Sequence, residues 1–429
     1  MRLWTLFRSS AALRLAPFAI GLCLYLYFPS NQSRVLDTVP YAPAVVLQAI
    51  GVTTPYIYAT AAGLGVWQMG RAKRSGLFDY PLVRRQFSMA IQLAIPVVTL
   101  GVIMLTLPIA CALVQTGVAP TVNSLWIPLQ QGFIVCCYTL LGMAVGYWFP
   151  PLIAAPLLAA GVAFFVSFSV VMEPFWWRNI LGKYYDPLLY GEMPVWQALV
   201  APMVVASAMA CAGTVTWIFR KRGISVAVLA LVIVATGLFA GQYMVRDFGS
   251  SIPVAAVSGS ATCTSGTPRI CVPSYAAPSL GKVTRVSESA LKQLRTNGIS
   301  VSPVEIRSTE LDGRHTRPST PTIWRLPLTG PTAPRAHYER SLRYKLSLLS
   351  VVPPCSRPDP VVANKAAFFA ATTVGAREEF ETQLRSWGRA GKGRSHIVQE
   401  IAQDAERALR LPRQQRKAWY GETVKSACA

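Results

Sequence analysis

The sequence has few charged residues, and one long internal stretch has none. Asp, Glu, Lys and Arg make up 14% of its 429 residues, whereas soluble globular chains carry about 25%. Between Gln86 and Met172 there is no Asp, Glu, Lys, Arg or His. A single large buried core does not account for this stretch, because helices of soluble domains need charged outer faces. The stretch therefore predicts several consecutive membrane spans.

The sequence also lacks the motifs of common catalytic and metal sites. None of its histidines, His315, His337 and His396, belongs to an H-E-x-x-H zinc motif. There is no G-x-S-x-G nucleophile elbow, and the glycine spacing of GRAGKGRS at 388–395 does not match an ATP-binding phosphate loop. We therefore expect that the chain itself is not an enzyme and that it holds no cofactor or metal.

What the sequence has instead is a series of apolar segments of about 20 residues, the length that crosses the hydrocarbon core of a bilayer. It predicts seven spans, at residues 13–28, 43–69, 89–114, 128–148, 152–172, 198–219 and 224–245. No small-residue cleavage site follows the first, so we interpret it as a retained helix rather than a signal peptide. The fourth and fifth predicted spans are joined by YWFPP. Its two prolines indicate either a tight turn or a re-entrant hairpin.

Lys and Arg are distributed unevenly between the two sets of alternating loops. Basic residues concentrate in the cytoplasmic loops of membrane proteins. If the N-terminus is cytoplasmic, the inside segments contain eleven basic residues and the outside loops four. The inside residues are Arg2, Arg8, Arg14, Arg71, Lys73, Arg74, Arg84, Arg85, Arg220, Lys221 and Arg222, and the outside residues are Arg34, Arg178, Lys183 and Arg246. This bias predicts a cytoplasmic N-terminus and an extracytoplasmic C-terminal region.

The fold class we predict is an α-helical polytopic membrane protein with a small, mostly α-helical α+β domain at its C-terminus. The predicted transmembrane domain covers residues 1–248 and the extracytoplasmic domain residues 249–429. Apolar stripes at helical spacing predict two helices of that domain. They comprise Tyr338, Leu342, Leu346 and Leu349, and then Ile397, Ile401, Ala405 and Ala408. We also expect a short helix at 289–297, a helix around Trp419, and a hairpin turn at Asp312-Gly313.

Nine cysteines are present, and Cys263, Cys271, Cys355 and Cys428 lie in the C-terminal domain. Disulfides persist outside the cytoplasm, and four cysteines allow three pairings. Because CTSGTPRIC can turn back on itself at its glycine and proline, we favour the pair Cys263–Cys271, together with Cys355–Cys428. A zinc site is the alternative, although neither pair has C-x-x-C spacing.

The predicted connection between the second and third spans combines basic and apolar residues. It reads GRAKRSGLFDYPLVRRQFSM, at residues 70–89. Charge alone would suffice to set the topology, so the apolar residues favour an interfacial helix or a docking surface. Topology combined with lipid contact is the alternative. The candidate coupling residues are Arg71, Lys73, Arg74, Phe78, Tyr80, Arg84 and Arg85.

A second segment, at residues 173–196, is rich in aromatic residues and is predicted to lie outside. It reads EPFWWRNILGKYYDPLLYGEMPVW. Trp and Tyr concentrate at the interface between membrane and water. We therefore predict an interfacial or re-entrant element just before the sixth span.

This layout resembles the permease of an ABC-2-type transporter. The resemblance rests on a basic start, two spans, a short basic inside loop, and four further spans with an interfacial outer element before the sixth. The additional seventh span is followed by an outer domain that opens with CTSGTPRICVPSYAAP and closes with LRLPRQQRKAWYGETVKSAC. In these features the chain is similar to actinobacterial ABC transporter-associated membrane proteins. The resemblance implies that residues 70–89 contact a separate ATPase subunit and that two permeases pair, as a homodimer or heterodimer, in the cell membrane.

Two functions are compatible with this sequence. One is a permease subunit powered by a separate ATPase chain, and the other is a membrane-anchored binding or assembly protein without transport activity. The scarcity of ionisable residues in the spans argues against an embedded enzyme and a proton-coupled carrier. The basic outer domain could contact membrane lipid or an acidic partner, and a basic surface that is only solvated is the alternative. Nucleic acid is not expected on that side.

Overall fold

The computed structural model describes residues 8, 10–36, 39–77, 86–183, 187–219, 223–249, 253–256, 260–314, 317–328, 335–351, 355, 358–389 and 395–428. The chain divides into two compact units, unit 1 (Met1–Val257) and unit 2 (Ser258–Ala429). This boundary is later than the predicted one at residue 248. The reason is that strand β2 (Val254–Ala256) pairs with β1 (Glu192–Pro194) inside unit 1.

Unit 1 is built mainly from apolar helices. They are α1 (Ala11–Leu36), α2 (Ala42–Ile50), α3 (Thr54–Arg74), α4 (Gln86–Thr116), α5 (Val122–Trp148), α6 (Pro151–Phe168), α7 (Trp176–Ile180), α8 (Trp196–Ile218) and α9 (Ile224–Val245). In the described part of the chain, six helices are long and apolar enough to cross a membrane, or seven if α2 and α3 form one span bent by 55°. Unit 1 is therefore compatible with a multi-pass membrane protein, and each predicted span corresponds to one of these helices or to the bent pair.

The break between α2 and α3 follows from the local sequence. Pro55, in the first turn of α3, has no N–H with which to continue the hydrogen bonds of α2. The hydroxyls of Thr53 and Thr54 instead donate to the Ile50 carbonyl, at 3.3 and 2.8 Å. The chain therefore changes direction within unit 1 while the end of α2 keeps its hydrogen bonds.

α3 and α5 pack against each other through glycine. A Cβ at Gly142 would lie 2.1 Å from the Ala62 carbonyl oxygen, and one at Gly146 would lie 2.2 Å from a carbonyl oxygen in the next turn of α3. Small residues four positions apart allow this close approach between membrane helices. The same spacing joins α9 to α8 at Gly237 and Gly241.

Contacts between the helices define two ends of unit 1. At the α3–α4 end, where α3 finishes and α4 begins, Gly70 faces Pro151 at the start of α6. At the opposite end, the α7 end, Ile180 is buried in a cluster with Ala201 of α8 and Val245 of α9. The short helix α7 therefore packs between α8 and α9.

Unit 2 combines a four-stranded sheet with helices, so the predicted α+β arrangement is confirmed. The sheet has the order β3 (Ala261–Cys263), β4 (Arg269–Pro273), β5 (Glu305–Ser308) and β6 (Ile323–Leu326). Its helices are α10 (Leu280–Thr296), α11 (Arg335–Ser350), α12 (Pro360–Thr373), α13 (Arg377–Arg389), α14 (Ser395–Leu409) and α15 (Arg413–Ser426). Strands and helices share one hydrophobic core, with Phe368 and Phe369 of α12 fully buried in it.

Several local predictions for unit 2 can be compared with this fold. The helices predicted from the two apolar stripes and around Trp419 are confirmed as α11, α14 and α15. The predicted hairpin is wrong, because β5 and β6 are parallel, with Glu305 opposite Ile323, and parallel strands need a longer connection. The helix predicted at 289–297 begins earlier, at Leu280, since Val283 extends its buried face.

Both favoured cysteine pairs lie at disulfide-bond distance. The sulfur atoms of Cys263 and Cys271 are 2.09 Å apart, and those of Cys355 and Cys428 are 2.04 Å apart. The first pair joins β3 to β4, while the second ties the segment after α11 to the end of α15. The pairing leaves these four cysteines without the free thiolates that a zinc site needs.

Candidate functional site

The candidate coupling residues begin in the last turn of α3. Arg71, Lys73 and Arg74 belong to that turn and are exposed. Cations in a last turn also stabilise the negative end of the helix dipole, so these three residues have a structural effect as well. The remaining four predicted residues lie outside the described part of the chain: Phe78, Tyr80, Arg84 and Arg85.

Lys73 links the end of α3 to the end of α5. Its ammonium donates to the Tyr147 carbonyl at 2.7 Å and lies 4.8 Å from the centre of the Tyr147 ring. Tyr147 is buried, and its ring centroid lies 6.1 Å from that of Trp217 in α8. Three helix ends therefore meet through Tyr147.

A buried cluster beneath the last turn of α3 extends this connection to α4. It contains Met69, Ala72, Ala90, Ala94, Met143, Tyr147 and Trp217. Leu77 packs against the cluster, and its backbone N–H donates to the Ala72 carbonyl at 3.2 Å. Leu77 therefore faces the bundle rather than an external partner. We call these seven buried residues the helix-end cluster.

The start of α6 is held against the same turn. A Cβ at Gly70 would lie 2.6 Å from the ring of Pro151, so the backbone of α3 is in contact with this ring. α5 ends at Trp148 and α6 begins at Pro151, and both helices are long enough to span a membrane. The prolines of YWFPP therefore mark a tight connection between two helices, which is compatible with both predicted alternatives.

The α7 end contains buried, uncharged polar side chains that join one helix to another. The Asn31 amide of α1 donates to the Gln48 and Ala49 carbonyls of α2, at 2.5 and 3.1 Å. Tyr27 of α1 donates to the side chain of Gln115 in α4 at 2.8 Å. Because these groups are hydrogen-bonded to one another, they can be buried in an apolar bundle at little cost.

The segment predicted to form an interfacial or re-entrant element contains the short helix α7, and the turn that follows α7 enters the bundle. Gly182 adopts a φ of 71°, which favours glycine. Its carbonyl accepts from the Gln131 amide at 3.4 Å, and Gln131 in turn accepts from the Tyr58 hydroxyl. The next residue, Lys183, donates to the Gly51 carbonyl at the break between α2 and α3. α7 is thus connected to the break between α2 and α3.

Lys183 is a largely buried cation. Burial lowers its pKa from 10.5 to about 8, because desolvation disfavours the charged form. The ammonium donates a hydrogen bond to the Gly51 carbonyl, one of the last carbonyls of α2, which carry partial negative charge. Among the described residues, no carboxylate forms an ion pair with Lys183.

Neither a metal centre nor a relative identifies the protein. Within the described residues there is no group of three His, Cys, Asp or Glu side chains that could hold a metal ion. Comparisons with family models, curated proteins and solved structures found no match to this chain. The proposal for its function therefore rests on the geometry of unit 1.

Proposed function

We propose that the chain is the membrane-spanning permease subunit of an ABC-type transporter, and that a separate ATPase subunit drives it. The observation that carries this proposal is the helix-end cluster, to which α3, α4, α5 and α8 all contribute. A force applied to the connection between α3 and α4 would reach four helices at once through this cluster. A protein that is only anchored in the membrane needs no such connection.

In this proposal the α3–α4 end faces the cytoplasm, where the ATPase binds. The basic last turn of α3 supports this orientation, because cytoplasmic loops are rich in Lys and Arg. Unit 2 is then extracytoplasmic, which is compatible with its two cysteine pairs at bonding distance. A reporter that is active only outside the cytoplasm should be active after Ala429 and inactive at Gly223. The reverse pattern would contradict this orientation.

The mechanism we propose is a movement of packed helices rather than a chemical step on this chain. Nucleotide-driven closure of the ATPase would move the connection between α3 and α4. The helix-end cluster would pass that movement to α5 and α8, and the bundle would alternate between inward-facing and outward-facing states. Two permease chains, identical or different, would form the path. The scarcity of ionisable residues in the spans favours an apolar or lipid-like substrate over a proton-coupled one.

Pull-down of an ATPase from detergent-solubilised membranes tests the proposal. We expect an ATPase with a phosphate-binding loop to co-purify with the unaltered chain. Phe78→Ala or Tyr80→Ala should reduce its recovery by about tenfold or more, because a buried aromatic anchor contributes about 2 kcal/mol at an interface. Arg84→Ala should reduce it less, since an exposed ion pair is worth about 0–1 kcal/mol.

Leu77→Ala is the matched control, because Leu77 packs against the helix-end cluster inside unit 1. This change should lower thermal stability while the amount of ATPase bound to each folded chain stays the same. If the unaltered chain brings down no ATPase under mild conditions, the membrane-anchored binding or assembly protein is the better hypothesis. If an ATPase binds and neither aromatic change weakens it, residues 70–89 are not the coupling surface.

A further inference from the structure

Arg178, in α7, is a buried cation without an anionic partner among the described residues. Only 5% of its surface is exposed, and its Nε is buried without a hydrogen-bond acceptor. Within the described part of the chain, the contact found for its guanidinium is the ring of Phe175, whose centre lies 4.9 Å from Cζ. A guanidinium has five N–H donors. Most of the hydrogen-bonding capacity of this side chain is therefore unused within the described chain.

The residue after Arg178 has an unused acceptor. Asn179 is 1% exposed, and its Oδ1 is buried without a donor. Its amide nitrogen donates to the Phe175 carbonyl at 3.5 Å, so the side chain is only partly satisfied. Buried polar groups nearly always have a partner. One turn of α7 thus carries both unused donors and an unused acceptor.

The described carboxylates of the same segment do not pair with Arg178. Glu173 is exposed. Glu192 is buried, and its carboxylate accepts from the Leu189 N–H at 2.8 Å. A buried guanidinium that lacks a carboxylate is expected to bind another oxyanion, and its planar fork matches phosphate as well as carboxylate.

The position of α7 indicates where that oxyanion comes from. Ile180 faces the bundle and is buried between α8 and α9. Phe175 is 36% exposed, and the rings of Trp176 and Trp177 are stacked with centroids 4.4 Å apart. Aromatic residues of this kind lie at the level of the lipid headgroups. Arg178 contacts the ring of Phe175. It is therefore placed where the phosphates of a bilayer lie.

We propose that Arg178 binds the phosphate of an anionic phospholipid headgroup, donating to two of its oxygens. In phosphatidylglycerol, the headgroup hydroxyls could also donate to the free Oδ1 of Asn179. The bound lipid would hold α7 between α8 and α9. The proposal requires that unit 1 lies in a membrane, but it does not depend on transport or on an ATPase. A negative result in the ATPase pull-down would therefore leave it intact.

Thermal unfolding of the full-length chain in lipid-free detergent tests this site. Phosphatidylglycerol, phosphatidylcholine and inorganic phosphate are added separately, at the same concentration. We expect phosphatidylglycerol to raise the Tm by about 2–4 °C, and the other two to have clearly smaller effects. Arg178→Met should abolish the response. Arg246→Met is the matched control, because Arg246 follows α9 at the same end, is 58% exposed and pairs with Asp247.

The direction in which Arg178→Met changes the Tm in lipid-free detergent distinguishes a lipid site from an ion pair within the chain. Arg178→Met removes an unpaired buried charge, so the Tm in lipid-free detergent should stay the same or rise. A marked fall, with the lipid response retained, would show a partner within the chain and overturn the proposal. An equal response to inorganic phosphate would assign the site to a soluble ion. An equal response to phosphatidylcholine would remove the preference for anionic lipid.

Two further measurements apply if Arg178→Met does not fold. Native mass spectrometry of the unaltered chain should show retained phosphatidylglycerol, and Arg246→Met should retain the same amount. Arg178→Lys keeps the charge but loses the fork of donors, so it should retain less. Full retention by Arg178→Lys, or no retained lipid in the unaltered chain, would contradict the proposed contact.

Discussion

Unit 1 and unit 2 join their helices by different kinds of contact. In unit 2, Lys365 of α12 lies 2.7 Å from Glu400 and 2.6 Å from Asp404, both in α14. In the described part of unit 1, the ion pair between Arg246 and Asp247 joins two adjacent exposed residues. In the described part of unit 1, glycines, apolar side chains and hydrogen-bonded amides join the helices, and Lys73 of α3 donates to the Tyr147 carbonyl rather than to a carboxylate.

The two cores differ in the same way. α12 of unit 2 is buried from Ala366 to Ala371 and brings Phe368 and Phe369 into the core. α5 of unit 1 instead presents Gly142 to the backbone of α3. In water, burial of large apolar side chains drives packing. In lipid that driving force is absent between helices, and close packing of small residues replaces it. The packing of unit 1 is thus compatible with a membrane-spanning bundle, and it differs from the packing of unit 2.

The largest effect should come from the long disulfide loop of unit 2. The pair Cys355–Cys428 closes a loop of 73 residues. Loss of a disulfide that closes such a loop lowers the free energy of unfolding by about 4 kcal/mol, if the effect is treated as chain entropy. Replacing both cysteines by Ser should make unit 2 sensitive to protease at a lower temperature and leave unit 1 unchanged. Limited proteolysis of the full chain at a series of temperatures, with peptide mapping, measures the protease sensitivity of each unit separately.

The shorter loop is the control for this comparison. The pair Cys263–Cys271 spans 8 residues, and its loss should cost less, about 2.5 kcal/mol. Alkylation of protein isolated without reductant should find all four cysteines protected. Free thiols at both positions of a pair would remove that pair from the description of unit 2.

A smaller effect, confined to unit 1, should come from filling a glycine contact. In Gly142→Ala the new methyl group would meet the Ala62 carbonyl oxygen at 2.1 Å, and overpacking of this kind costs about 1–3 kcal/mol. Gly161→Ala in α6 is the matched control, because no atom lies within 4 Å of its added methyl group. The control should be neutral or slightly stabilising, since Ala favours helix more than Gly. A Tm for Gly142→Ala at or above that of the control would contradict the packing described for α3 and α5.

The sequence predicts the parts of this fold that depend on local composition. The long helices of unit 1 follow from long apolar runs, and α11 and α14 follow from stripes with helical spacing. Sequence periodicity does not predict α12, because the central residues of this helix are buried on all sides and show no amphipathic pattern. The spacing of Gly142 and Gly146 was an available signal for close helix contact. Only the structure, however, shows that their partner is α3.

The candidate site depends on contacts that sequence patterns do not contain. Residues 70–89 are notable in the sequence for their charge, but the helix-end cluster beneath the last turn of α3 includes Tyr147 and Trp217, which are distant in sequence. In the same way, Arg178 and Lys183 read as ordinary loop cations in the positive-inside count. Their burial becomes visible only when α7 is placed between α8 and α9.

The smallest effect should be a difference in pH dependence between the two units. Burial lowers the pKa of Lys183 from 10.5 to about 8. Between these values the unfolded chain binds more protons than the folded chain, so this residue should make unit 1 more stable as pH rises above 8. The contribution of Lys365 to the stability of unit 2 depends on pH in the opposite direction. Its carboxylate partners raise its pKa, so its contribution is complete below 10.5 and is lost as pH rises through the raised value.

Thermal unfolding of the unaltered chain, Lys183→Met and Lys365→Met at pH 7.5, 8.5 and 9.5 measures this difference. The Tm of the unaltered chain relative to Lys183→Met should increase across the series, because only the unaltered chain sheds a buried charge. The Tm of the unaltered chain relative to Lys365→Met should stay nearly constant. Lys365 remains protonated over this range, and a partly exposed ion pair contributes only about 0–1 kcal/mol. The change is reduced because Lys183 keeps an intermediate exposure, so solvent screens part of the effect of burial. Parallel pH curves for the unaltered chain and Lys183→Met would show that Lys183 is solvated in the folded protein, and that the turn after α7 does not enter the bundle.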